Sequence, residues 1–334
     1  MFFAEINSDK LLLAIFIVYF FCFILQTIYY WGVFSRLAFY RKKSLLNQYK
    51  PVSIIICARN EFSNIKKNLK SILEQDYPDF EVVVVNDCSE DDTAYLLKAF
   101  SDHYAHLNVI TIRENVNFFS GKKFALALGI KSAKNDLLLL TDADCSPGSN
   151  RWLAEMQNNF IAGMEIVLGY SGYEKKPGLL NKLIRFDTIT TAMQYLSWAL
   201  AGRPYMGVGR NLAYHKNLFI QAKGFASHYH IQSGDDDLFI NAVARRKNVA
   251  IEIRPCAQTS SLPKQTFSEW ITQKKRHLSS GFHYKKSDKL MLGTFSISNL
   301  LFYISFCFLV IFIFISFSLY TLFVVATIFV IKII

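Results

Sequence analysis

A run of four leucines at 137–140 leads through Thr141 to two carboxylates one residue apart, Asp142 and Asp144. Side chains two positions apart in extended chain point the same way, so the pair can face one hard cation. Mg2+ or Mn2+ suits such a pair, because a metal that keeps several waters and bridges a diphosphate needs only one or two protein carboxylates. One acid capping the next helix and the other solvated explains the same residues, and an Asp-x-Asp alone does not choose. Further on, Ser233-Gly234-Asp235-Asp236-Asp237-Leu238 opens a helix expected to run to about Arg246. Acids at a helix start complement its dipole, yet three adjacent like charges repel and raise one pKa, which suits a general base. Ser120-Gly121-Lys122-Lys123 sets a glycine and two cations at a helix amino terminus, a fitting diphosphate contact, although the further residues of a P-loop are missing. The glycine-rich loop at 202–211, with Gly209 and Asn211 at its end, permits close backbone approach to a ligand.

Alternating strand and helix signals must position these groups. Residues 52–58, 80–85, 109–112 and 137–140 read as strands, and 64–73, 93–104 and 122–132 as helices between them. Short loops in such an alternation imply an α/β fold with a doubly wound, mostly parallel sheet. Polar residues follow the strands: Ala58-Arg59-Asn60-Glu61 after the first, Asn86-Asp87-Cys88-Ser89 after the second. Each alone is a cap or a solvated loop. Converging with Asp142 and Asp144 on one sheet edge, they favour a nucleotide site.

The chain has 334 residues, 52% hydrophobic, with 30 phenylalanines and a net charge of +11. Residues 11–34 carry no charge and suffice for a bilayer crossing at about 1.5 Å per residue. Arg36, Arg41, Lys42, Lys43 and Lys50 follow, so the positive-inside rule places the next domain in the cytoplasm. Residues 291–334 carry only Lys332 and fit two passes turning near Ser316-Phe317-Ser318. The expected organisation is an anchor at 1–35, a catalytic domain at 50–265, an interfacial helix at 266–290 and membrane segments at 291–334, a multi-pass protein of a bacterial-type inner membrane. The helices at 179–201 and 268–280 both read as amphipathic, and the basic residues around the second cluster beside membrane segments, which argues for lipid and against nucleic acid. Six cysteines without Cys-x-x-Cys spacing indicate a reduced compartment and no structural zinc. His228 and His230 lack a third metal ligand at suitable spacing.

As a set and in order, these motifs resemble the membrane-bound, inverting family 2 glycosyltransferases with a GT-A fold. The resemblance covers residues 51 to about 284. It implies that Ala58, Asn60 and Glu61 surround the nucleotide base, and that Asp87, in a segment similar to Asp-Asp-Gly-Ser, contacts the base or ribose. Asn86 and Cys88 depart from that segment. Gly121-Lys122 resembles the phosphate-side Gly-Lys, and Asp142-Ala143-Asp144 the metal-binding Asp-x-Asp. Asp237-Leu238 aligns with the end of Glu-Asp-x-Asp-Leu, which implies Asp235 as base, or Asp236 if the register slips by one, with Gly234 where the glutamate stands. Gln273-Lys274-Lys275-Arg276-His277 is similar to Gln-x-x-Arg-Trp, with Gln273 and Arg276 on the donor and His277 in place of tryptophan. His277, with Gly209 and Asn211, is expected on the acceptor side. The implied activity is sugar transfer from a nucleotide sugar, uridine-linked by resemblance, to a lipid or lipid-linked saccharide at the inner leaflet. A processive polysaccharide synthase is the enzymatic rival, and a non-catalytic membrane scaffold the rival from another class.

Overall fold

The computed structural model describes residues 2–41, 49–113, 121–161, 163–231, 233–316 and 319–333. Lys42 and Lys43 of the expected basic belt, Ser120 of the glycine-lysine segment and the turn residues Phe317 and Ser318 lie outside them. The described chain divides into two compact units, one from residues 1–40 and 285–334, the other from residues 41–284.

In the first unit, helix α1 (Phe2–Tyr29) continues through a π-helical turn (Tyr30–Phe34) into α2 (Ser35–Ala38). Its partners α11 and α12 come from the far end of the chain, after the α3–α10 of the second unit: α11 is Lys286–Ser316 and α12 is Leu319–Ile333. Two segments, Lys10–Ala38 and Lys286–Phe312, are long and apolar enough to cross a bilayer; Thr321–Lys332 is shorter. Tyr19, Cys22, Phe302, Leu309 and Val325 form the core. Several of its polar side chains donate internally, although Gln26 Oε1 is buried without a hydrogen-bond partner among the described residues. Gln26 donates to Phe295 O (3.0 Å) and Ser298 Oγ (2.7 Å), and Tyr19 Oη donates to Val325 O (2.9 Å).

The second unit begins with β1 (Val52–Ala58), α3 (Phe62–Leu73), β2 (Phe80–Asp87), α4 (Thr93–His103), β3 (Leu107–Ile112), α5 (Lys122–Ser132) and β4 (Leu137–Asp142). β1, β2 and β4 are rich in valine, isoleucine and leucine and buried on both faces, as a parallel sheet under helices demands, while β3 at the sheet edge is only partly buried. Ile54, Ile56, Val82, Val84 and Leu139 pack on Ile65, Leu69 and Ile72 of α3. On the other face α5 comes close through Gly129, where a Cβ would stand 2.9 Å from Ile55 Cγ2 and 3.0 Å from Val85 Cγ2. Ser53, a buried polar residue of β1, donates to Glu81 Oε1 at 2.6 Å on the neighbouring strand.

The later elements are shorter: β5 (Cys145–Pro147), α6 (Trp152–Gln157), β6 (Ile166–Gly169), β7 (Ser171–Tyr173), α7 (Leu179–Leu200), β8 (Leu212–His215), α8 (Lys216–Gln221), α9 (Asp237–Val243), β9 (Val249–Glu252), β10 (Thr259–Ser261) and α10 (Phe267–Gly281). The main sheet has the order β3-β2-β1-β4-β8-β6-β9, and β5-β10-β7 form a small second sheet. Strands β3 to β4 are parallel, whereas β8 runs antiparallel to both β4 and β6. The mostly parallel α/β sheet expected from sequence is present. Three of its seven strands were not expected, because four residues are too few for a hydrophobic period to show. Helix α9 stops short of the expected Arg246, since Ala244 is extended and the Arg245 N–H donates to Asn248 Oδ1 at 2.7 Å.

Candidate active site

Parallel register carries the strand ends to one edge. Ala58 pairs with Asn86, and Cys57 with Asp142, so the ends of β1, β2 and β4 lie side by side. A cleft of ≈ 370 Å³ opens at the ends of β2 and β3, lined by Asn86, Cys88, Ser89, Thr111, Ile112 and Arg113. Cys88 has φ 51°, in the left-handed region, which explains why the resembled motif has glycine there. Asn60 ties β1 to the loop after β2: its N–H donates to Ser89 Oγ (3.0 Å) and its Oδ1 accepts from Glu90 N–H (2.8 Å). Asp87 is buried at the end of β2. Glu61, before α3, accepts from Asn64 Nδ2. Burial raises its pKa; Asn64 opposes this, and Asp144 and Asp142 add to it.

Lys122, the first residue of α5, joins the two acidic segments. Its Nζ lies 2.8 Å from Asp142 Oδ1 and 3.2 Å from Asp235 Oδ2. Residues almost a hundred positions apart thus meet on one ammonium. Burial opposes charge on Lys122, yet Asp142, Asp235 and Asp236 together hold it charged, well above the usual lysine range. Burial likewise opposes charge on Asp235, and Lys122 outweighs it, so that carboxyl lies below its ordinary range. Asp236 behaves differently. Burial, then the Asp235 and Asp237 charges, push it up to about 7. Its Oδ2 accepts from Gly209 N–H and its Oδ1 from Asp237 N–H, both at 2.7 Å, so it caps α9 and pins the glycine-rich loop. Asp237 turns away to accept from Ser280 Oγ and from Tyr284 Oη (2.8 Å). At Gly234 φ is 96°, and a Cβ would stand 2.4 Å from Leu238 Cδ1, so no glutamate fits this backbone.

Asp144 is half-buried, and burial and then Asp142 raise its pKa. Its carboxylate accepts from the Cys145 thiol, a weak donor, at 3.4 Å. Two hard oxygen donors crowded at a strand end, one poorly neutralised, fit a divalent ion that completes its shell with water and phosphate oxygens. Among the described residues no three His, Cys, Asp or Glu side chains gather as a metal cage.

Around this centre, Gln273 Nε2 donates to Tyr173 Oη at 3.2 Å, and the Arg210 guanidinium lies over the Tyr173 ring at 4.5 Å. Arg210 donates to Ser261 Oγ at 2.9 Å, and its charge partly opposes the rise that burial causes in the Asp144 and Cys145 pKa. His277 keeps an exposed edge, but burial of the rest, then Arg276, Lys274, Arg210 and Lys122, lower its pKa to about 4, leaving a neutral imidazole at pH 7. Arg276 is exposed, and its carbonyl accepts from Ser233 Oγ at 3.2 Å, which attaches α10 to the acid loop.

Two expectations are corrected. Asn211 does not face an acceptor: it is 0% exposed, its Oδ1 accepts from Trp152 Nε1, and its Nδ2 donates to Tyr170 O and Ala257 O. Lys123 does not face a diphosphate either. It is buried and donates to His228 O and Ile231 O, each at 2.7 Å, and so props the loop leading to the acids. Arg210, Tyr173, Ser280 and Tyr284 were given no role from sequence; an arginine beside two glycines was the one available signal.

A mostly parallel sheet whose strand ends gather these acids and Lys122 is a GT-A fold. The mannosyltransferase PcManGT from Pyrobaculum calidifontis, solved in complex with GDP-Man and Mn2+, shares it: TM-score 0.65 at 19% identity, over 98% of this chain and 92% of that one. Residues 53–219 match the family model of glycosyl transferase family 2, and the chain belongs to that family. It is 27% identical over 237 residues to the probable glycosyltransferase YdaM of Bacillus subtilis, covering 67% of this chain and 54% of that protein. To the beta-monoglucosyldiacylglycerol synthase of Nostoc sp. it is 29% identical over 123 residues, 36% of this chain and 26% of the relative. The chain thus spans little more than half of these relatives at most.

Proposed function

We propose that the chain transfers one sugar from a nucleoside diphosphate sugar, uridine-linked first among candidates, to a lipid or lipid-linked saccharide at the inner leaflet, with inversion at the anomeric carbon. The observation that carries this reading is Lys122, whose ammonium touches both Asp142 and Asp235. A diphosphate drawn to Lys122 puts its sugar beside Asp235. Asp142 and Asp144 would hold Mg2+ or Mn2+, which when bound neutralises charge on the departing diphosphate. Lys122 and Arg276 add cationic donors on that side. Asp235 takes the acceptor hydroxyl proton as that oxygen bonds to the anomeric carbon and the bond to the diphosphate breaks with its electron pair. Asp236, fixed by two backbone N–H groups, supports Asp235 and is not the base. Ala58, Asn60, Glu61 and Asp87 bound the base and ribose end; Gln273 supports the donor side through Tyr173. Gly209 and His277 lie toward the acceptor.

The proposed domain organisation remains an anchor at 1–35, a cytoplasmic GT-A domain at 50–265, an interfacial helix at 266–290 and membrane segments from 291. On α10 the exposed Phe267, Ile271, Leu278 and Phe282 fall on one stripe, while Gln273, Arg276 and Ser280 lie on the opposite face. From 264 to 289 seven lysines and arginines stand against Glu269 and Asp288, which suits an anionic surface. The lipid named in the Nostoc relative's activity supports the same acceptor class. Mass spectrometry of lipid extract, after incubating membranes bearing the protein with a panel of sugar nucleotides and Mg2+ or Mn2+, tests the reading. A glycolipid carrying one added sugar is expected. Transfer to soluble sugars alone removes the lipid acceptor, and a ladder of lengthening products favours a processive synthase.

A further inference from the structure

We propose that Asn68 is a positioning residue for the divalent ion, acting through the backbone that joins Asp142 to Asp144. The inference rests on the metal assignment of the transferase reading above. Asn68 lies in the interior of α3, on the face that carries Ile65, Leu69 and Ile72 into the core, and is 4% exposed. Asparagine is a poor helix former at such a position, and an amide buried among apolar neighbours costs stability unless it is hydrogen-bonded. Its Nδ2 donates to Ala143 O at 3.2 Å, across 75 positions of sequence. That carbonyl belongs to the residue between the two acids.

The bond falls where the main ladder stops. β4 ends at Asp142, and its register with β1 closes on the pair of Cys57 with Asp142, so Ala143 lies just beyond it. Ala143 is itself 4% exposed and belongs to the core cluster of Ile65, Leu69 and Trp152, while Asp142 and Asp144 on either side are half-buried. On the other flank of Asp142, Thr141 Oγ1 donates to Arg210 O at 3.0 Å. The chain is thus held immediately before and immediately after Asp142, whereas Asp144 accepts from the weak thiol donor. Rotation of the peptide between residues 143 and 144 is the motion that would re-aim one carboxylate against the other, and Asn68 holds the oxygen of that peptide. A small octahedral ion tolerates little error in where its oxygens stand, so the groups that fix its ligands bear on affinity.

The test is Mn2+ binding in the presence of UDP, read as the protein-dependent loss of the free-ion electron paramagnetic resonance signal, in Asn68→Leu and Asn68→Ala. The two variants remove the same amide and fill the space differently, so an effect common to both belongs to the lost hydrogen bond. Each should bind Mn2+ about tenfold more weakly than wild type. UDP affinity in EDTA should be unchanged, and saturating Mn2+ should restore most of kcat. Gln75→Leu is the control. Just past α3, Gln75 donates to Ser149 O at 3.1 Å and accepts from Leu153 N–H at 3.0 Å, bonds that tie down the same stretch of chain farther from the acids. That variant should melt below wild type and keep its Mn2+ affinity. Wild-type Mn2+ affinity in either Asn68 variant, or an equal loss in Gln75→Leu, overturns the inference. A wild-type protein that binds no Mn2+ fails at the parent metal assignment instead.

Discussion

At the strand-end side of the site, Asp87 and Asp142 are the last residues of long buried strands, and their positions follow from main-chain ladders. At the other side, Asp235, Asp236 and Asp237 sit on a loop and a short helix held by side-chain bonds: Lys122 to Asp235, Gly209 to Asp236, and Ser280 and Tyr284 to Asp237. The first construction is rigid wherever the sheet is intact. The second depends on a handful of named contacts, and each can be removed without touching the sheet.

The sharpest way to separate the two is Asp235→Asn, which should lower kcat by about 10²–10⁴-fold while leaving nucleotide affinity near normal. Steady-state kinetics with calorimetry on the same preparation checks it, and near-normal turnover removes Asp235 from the mechanism. Asp144→Ala acts on the sheet side and should weaken metal-dependent nucleotide binding at least about tenfold; unchanged affinity by calorimetry dismisses the metal assignment. Tyr284→Phe withdraws one donor from Asp237 and should cost about 1–3 kcal/mol by chemical denaturation, since a buried acid loses a partner. A loss within error would mean Ser280 alone holds the loop.

The smallest effect concerns pH. Asp236 is raised in the fold to about 7 from an ordinary 3.8, so the native state holds this proton more tightly than the unfolded chain. Its contribution is fully present below about 4 and is lost as pH rises through about 7. Asp236→Asn keeps a capping oxygen but cannot ionise. Measured against wild type, its melting temperature should therefore gain between about pH 4 and pH 7 and then level off. A flat difference would place the titration on another group.

The same contrast explains what the sequence made legible. β1 and α5 fall on the ranges expected, because a seven-residue, largely apolar strand or three helical turns leave a pattern to read. Asp142 and Lys122 were found for the same reason, being terminal residues of such elements. Asn211 and Lys123 were misread because residue type does not reveal direction: an asparagine in a glycine-rich loop and a lysine at a helix start are ligand-like until their partners are seen to be carbonyls.

Helix α10 joins an exposed oily stripe on one side to Ser233 and Asp237 on the other, through Arg276 O, Ser280 and Tyr284. If that stripe rests in lipid as proposed, whatever surrounds it is one helix diameter from the proton acceptor. The choice of solubilising agent then becomes an experimental variable in its own right, and rates from micelles, nanodiscs and native membranes should rank by how firmly each medium seats this helix.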